Sequence, residues 1–104
     1  MPIALGNLQS TAGNIYVSTG NSAITFLSLC NHSAANVVAN VYVVPSGSTA
    51  GVTNIVLSEI EISALDTYQF YVGGEKLLLS AGDAISANCD SAGNITTVTS
   101  FTQI

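Results

Sequence analysis

A chain of 104 residues that is 48% hydrophobic and only 7% charged makes one domain, with a surface built largely from Ser, Thr, Asn and Gly. The acids Glu59, Glu61, Asp66, Glu75, Asp83 and Asp90 stand against a single cation, Lys76, for a net charge of −5. With one Lys and no Arg, the chain cannot neutralise several phosphates or settle on anionic lipid, so no nucleic-acid or membrane partner is expected.

Area scaling predicts that about two-thirds of the unfolded surface is buried, enough for one core without disulfide or metal staples. A surface so short of charge lacks the repulsion that keeps monomers apart, which predicts a homo-oligomer. No apolar run approaches the roughly 18 residues of a spanning helix. The opening MPIALGNLQS has no basic stretch followed by a long apolar one, so no leader is read there and a cytoplasmic origin is expected.

Residues 1–14 read as an N-terminal arm or a short first strand, centred on Ile3–Gln9, and residues 15–104 as a single β-sandwich domain. After a turn at Thr11–Asn14 comes a strand at Ile15–Ser18, then a turn around Gly20-Asn21. Ala23–Val44 reads as two long strands joined by a polar turn at His32–Asn36. Ile24, Phe26 and Cys30 share one face of the first, opposite Ala23, Leu27 and Leu29; the second is apolar on both faces. Such strands belong deep in a structure, so the two are predicted to pair as neighbours near the middle of one sheet.

Pro45 ends the second of these strands, because proline cannot donate to a ladder, and Pro45–Gly51 reads as a loop tip. Over Val52–Ser63 the alternation puts Val56, Ser58, Ile60 and Ile62 on one face and Leu57, Glu59 and Glu61 on the other. A strand opens at Asp66-Thr67, and Gly73-Gly74 signals a hairpin. Glu75–Leu79 has room for a single helical turn, Ala81-Gly82-Asp83 is a turn, Ile85–Cys89 a strand, Asp90–Asn94 a hairpin turn and Ile95–Ile104 a last strand. Roughly eight strands at short intervals predict an all-β antiparallel sandwich, jelly-roll-like, with an immunoglobulin-like sandwich as the alternative.

The inventory for chemistry is thin. His32, the only histidine, sits in a turn with no Gly-x-Ser-x-Gly elbow elsewhere. Glu59 and Glu61 are neighbours on one strand face, where charge more often guards an edge than holds a cation. Cys30 and Cys89 lie in apolar strands and are expected to be buried free thiols. Two sequons, Asn31-His32-Ser33 and Asn94-Ile95-Thr96, matter only in a secretory setting. No catalytic, cofactor-binding or metal-binding residue is assigned, and an enzyme is not expected.

Three stretches carry a resemblance: GNSAITFLSLCNHSAANVVANVYVVPSG, ISALDTYQFYVGGEKLLLSAGDAISANC and the closing NITTVTSFTQI. Together they resemble a group of short bacteriophage virion structural proteins. In that group a Cys-Asn turn leads to a strand ending Val-Val-Pro-Ser-Gly, and Glu-Lys-Leu-Leu-Leu precedes Ala-Gly-Asp. The resemblance runs from about Ile15 onward and implies a capsid decoration or cement protein that works through its surfaces. A neck, tail or baseplate accessory protein is the alternative, and a carbohydrate-binding sandwich module is the alternative of another class, against which the absence of Trp counts. The expected partners are other virion proteins, either the major capsid protein or neck and tail proteins. The peripheral Ile3–Gln9 arm and Pro45–Gly51 loop are the expected docking elements.

Overall fold

The computed structural model describes residues 3–70, 77–90 and 93–103. They form nine strands: β1 (Ile3–Asn7), β2 (Gly13–Val17), β3 (Ser22–Asn31), β4 (Val37–Val44), β5 (Ile55–Ile62), β6 (Thr67–Phe70), β7 (Leu77–Leu79), β8 (Ala84–Cys89) and β9 (Ile95–Gln103). Two antiparallel sheets pack face to face as a β-sandwich. The first runs β1-β9-β3-β6, with β7 also on β3; the second runs β2-β8-β4-β5. Because β9 occupies one edge of β3 from Ser22 to Asn31, β6 and β7 share the other edge, on Leu27–Cys30 and Ser22–Ile24 respectively. They lie end to end as two pieces of one edge strand, so nine strands fill eight positions.

The inner faces make one core. Ile24, Leu27 and Leu29 of β3 and Ile95 of β9 meet Val37 and Val41 of β4 and Ile85 of β8, all within 1% exposure. Burying a side chain of this size stabilises by about 1.5–3 kcal/mol. The expectation that β3 and β4 pair as neighbours is wrong. Each lies inside a sheet, but in opposite sheets, and they face one another across the core. The link between them is a crossing from sheet to sheet, not a hairpin turn. Asn31 pins it: fully buried, its Nδ2 lies 2.8 Å from Ala35 O, 3.0 Å from Ile62 O and 3.2 Å from Ser63 O. Its Oδ1 accepts from Ser33 N at 3.0 Å and Ser33 Oγ at 2.7 Å.

Bulges overturn two readings of alternation. The β3–β9 register slips between Ile24 and Phe26, so Ile24 points into the core while Phe26, Ser28 and Cys30 point out. On β5, Val41 faces Leu57 and Ala39 faces Ile60, leaving an extra residue between them. Leu57 and Ile60 therefore both pack on the core, Val56 is 48% exposed, and Glu59 takes a left-handed φ of 52°. The side chain of Asn40 stabilises the bulge by accepting Glu59 N at 2.7 Å.

Leu77–Leu79, part of the stretch with room for a single helical turn, pairs with β3 as a strand, and among the described residues no helix occurs. The Gly73-Gly74 turn, Glu75 and Lys76 lie outside the described residues, as do Ser91 and Ala92 of the Asp90–Asn94 turn. That link joins strands of different sheets, so it is not a hairpin. The Pro45–Ser48 turn closes with Ser48 N donating to Pro45 O at 3.0 Å and Gly47 at φ 85°, as a type II turn requires.

Candidate functional site

The side chains with chemical potential are scattered. His32 is exposed on the β3–β4 crossing, and its backbone N–H donates to Asn94 O at 3.1 Å. Among the described residues no hydrogen bond joins its ring to a serine or carboxylate, and no three His, Cys, Asp or Glu side chains gather as a metal site would need. Glu59 sits on the bulge with its backbone N–H held by Asn40 and its side chain exposed, and Glu61 is exposed opposite Val38. Asp83 has a structural task. Its carboxylate accepts Ser80 N and Ser46 N, each at 2.9 Å, and these two bonds hold its pKa below the ordinary aspartate value. It thereby joins the turn before β8 to the segment after β4.

Neither cysteine is in a disulfide, and one lies in the core and the other outside it. Cys89 is a core side chain, as expected; Cys30 is half-buried on an outer face, because the bulge at Thr25 turned it over. The sequon residue Asn31 is fully buried and closed to modification in the folded chain. Tyr16 is also a core residue, its ring 4.4 Å from that of Phe101 and its hydroxyl 2.8 Å from Ser22 Oγ, which in turn contacts Ser18 Oγ. No base faces this hydroxyl cluster. It ties the β2–β3 corner.

What remains are the outer faces, and they differ. On the β2-β8-β4-β5 sheet a shallow hollow of about 340 Å³ is lined by Ser10, Asn40, Glu59, Asn88 and Asp90. Its amides bond to one another: Asn40 Nδ2 donates to Asn88 Oδ1 at 3.1 Å, and Asn88 Nδ2 to Ser10 O at 3.2 Å. This face carries the carboxylates of Glu59 and Glu61 and these amides, beside Val38 in the hollow and Val56, which is 48% exposed.

The outer face of the β1-β9-β3-β6 sheet carries no carboxylate among the described residues. One row across it is Leu5, Val98, Ser28 and Gln69; the next is Ile3, Ser100 and Phe26; a third is Asn7, Thr96, Cys30 and Thr67. Leu78 stands opposite Ala23 at the β7 end. Ile3, Leu5 and Leu78 are 58%, 69% and 67% exposed, and none of these side chains is charged. Apolar knobs in water over a floor of small residues make this the surface most in need of a partner.

No model of a known protein family matches the chain, and no curated protein and no solved structure matches it. The resemblance to phage virion proteins therefore rests on the quoted stretches alone.

The docking elements read from sequence fare unequally. Ile3–Asn7 pairs with β9 along its length, and Leu8 beyond it is 1% exposed, so this segment carries core duties and is not a free arm. Val52 stands 89% exposed beyond the Pro45–Gly51 loop. The outer face of β1-β9-β3-β6 was missed because strict alternation put Phe26 and Cys30 inside. Thr96, Val98 and Ser100 at every second position were the available signal.

Proposed function

We propose that this chain is a non-enzymatic bacteriophage virion structural protein, a capsid decoration or cement subunit stabilising the shell, with a neck, tail or baseplate accessory position as the alternative. It works as a homo-oligomer that binds other virion proteins, made in the host cytoplasm and carried in the virion. The observation that carries this reading is the outer face of the β1-β9-β3-β6 sheet, which among the described residues bears exposed Ile3, Leu5 and Leu78 and no charge. A protein whose task is contact uses such a face directly, and it loses little to desolvation when covered.

The strand order supports a finer reading of the fold as a jelly roll. The pairs β1·β9, β2·β8, β3·β6 with β7, and β4·β5 nest around the link between β4 and β5. A long hairpin wrapped so that its strands alternate between two sheets has this order, and viral capsid proteins and lectins both use it. In immunoglobulin sandwiches several sequence neighbours pair within a sheet; here β4 and β5 alone do, among the described strands. Fold by itself does not separate capsid protein from lectin. The polar hollow on the β2-β8-β4-β5 sheet, with Tyr42 beside Asn88, is what favours the carbohydrate-binding alternative. Its amides are already bonded to one another, which places it second.

The test is incorporation. Purified virions analysed by mass spectrometry contain the chain in stoichiometric amount, and shells lacking it fall apart at lower temperature until it is added back. Absence from purified virions overturns the reading. Saccharide binding that Asn40→Ala and Asn88→Ala abolish would transfer it to the second class.

A further inference from the structure

We propose that the outer face of the β1-β9-β3-β6 sheet packs against the same face of a second copy of this chain, giving a two-fold dimer four sheets thick. The inference deepens the contact-surface reading above by naming the partner of that surface.

Charge is the first argument. On the described residues the carboxylates lie elsewhere: Glu59 and Glu61 on β5 of the other sheet, Asp83 and Asp90 at the two ends of β8, and Asp66 just before β6. A chain of net charge −5 repels its own copy unless the approaching faces are uncharged. Among the described residues this face is, so self-association turns the acidic sheets outward, away from one another.

Area is the second. Four strand positions at about 4.8 Å spacing span about 19 Å, and nine residues of β9 at about 3.4 Å each span about 30 Å. Only β9 and β3 run that length, β1 holding five residues and β6 with β7 seven, so the face offers about 500 Å² per copy, or about 1,000 Å² for a pair, at the threshold of specific interfaces and above ordinary lattice contacts. Covering one whole face by its own counterpart reaches this size without recruiting a loop.

Relief is the third. Ile3 and Leu5 stand on the edge strand β1, whereas Ser28 and Ser100 lie over β3 and β9 at the middle. A two-fold axis along the strands between β9 and β3 sets the β1 edge of each copy against the β6 and β7 edge of the other, so Ile3 and Leu5 meet the edge that carries Leu78. An isologous contact of this kind closes at two subunits and does not build a trimer.

The test uses the full chain. Sedimentation velocity over about 1–200 µM is expected to show a monomer–dimer equilibrium, with maleimide labelling of native Cys30 slowing as the dimer fills, because Cys30 lies on the covered face. Leu5→Glu and Leu78→Glu, at residues too exposed to matter for folding, raise the dissociation constant at least about tenfold and restore labelling. Leu65→Glu, 74% exposed and off the strands of this face, changes neither. A monomer throughout with Cys30 freely labelled assigns the face to a foreign partner and overturns the proposal, as does a trimer or a dimer indifferent to Leu5→Glu. Sedimentation reads only self-association and virion content reads only function, so each idea fails separately.

Discussion

Replacing Asn31 tests the reasoning about the fold most sharply, because one buried amide there connects three chain segments. Its two N–H groups serve the carbonyls of Ala35, Ile62 and Ser63, and its oxygen accepts twice from Ser33. At about 1 kcal/mol net per hydrogen bond the full set is worth about 4–5 kcal/mol. Water reaching the part-buried carbonyls of Ala35 and Ser63 recovers some of that, so Asn31→Ala is expected to cost about 3 kcal/mol. For a domain of this size the loss lowers Tm by about 15 °C. Asn36→Ala, on the same crossing, removes one exposed bond to Ala64 N and lowers Tm by no more than about 5 °C. Asn31→Asp adds a pH signature. A carboxylate facing three carbonyls has its folded pKa raised above the unfolded value of about 3.9, so its penalty is absent below that pH and grows as pH rises through the folded pKa. Thermal unfolding followed by circular dichroism at pH 3.5 and 7 reads all three variants. An Asn31→Ala protein melting within about 3 °C of wild type, or an Asn31→Asp protein no weaker at pH 7 than Asn31→Ala, would refute the account of the crossing.

Two further outcomes follow from polar groups at the other extremes of burial. The hydroxyls of Thr97 and Thr99 are fully buried and without a hydrogen-bond partner, so Thr97→Val and Thr99→Val are each expected to stabilise by about 1 kcal/mol, or about 5 °C in Tm. A fall in Tm in either would mean that the hydroxyl is bonded in solution. The depressed pKa of Asp83 makes its contribution present above the unfolded value of about 3.9 and lost as pH falls through the lower folded pKa. Asp83→Asn should therefore melt below wild type by a constant margin from pH 7 to 5 and converge on it below about pH 4; a margin unchanged at pH 3 contradicts the Ser80 and Ser46 assignment.

Fold class was legible because its signal is repeated. Short apolar segments broken by Gly20-Asn21, Pro45 and Gly82-Asp83 recur along the chain, and no single misreading changes the result. Register was not legible, because a bulge is one residue that inverts all those after it. Nothing in Ser-Ala-Ile-Thr-Phe-Leu announces an extra residue at Thr25, and Ser58-Glu59 is an unremarkable pair with a left-handed φ that glycine would have signalled. Strand pairing was illegible for a different reason. Local pattern reports how deeply a strand is buried and says nothing about which sheet holds it. The loop length between β3 and β4 suits a hairpin and a crossing equally, and only the buried Asn31 decides between them.

The same inversion explains why the candidate contact surface escaped notice in the sequence. With Thr25 counted as an ordinary strand residue, Phe26 and Cys30 fall inside with Ile24, and the outer face of β3 is assigned to Ala23, Leu27 and Leu29 instead. With the bulge in place, Phe26 and Cys30 join Leu5 and Val98 outside, and the shortage of charge acquires a location. An apolar composition spread evenly over a surface predicts indiscriminate aggregation. Here the five carboxylates of the described residues lie off one sheet face, while three of the seven large apolar side chains that stand exposed, Ile3, Leu5 and Leu78, lie on it, which favours a directional contact there. The placement of the few charges of the described residues away from this face is what the proposed assembly rests on.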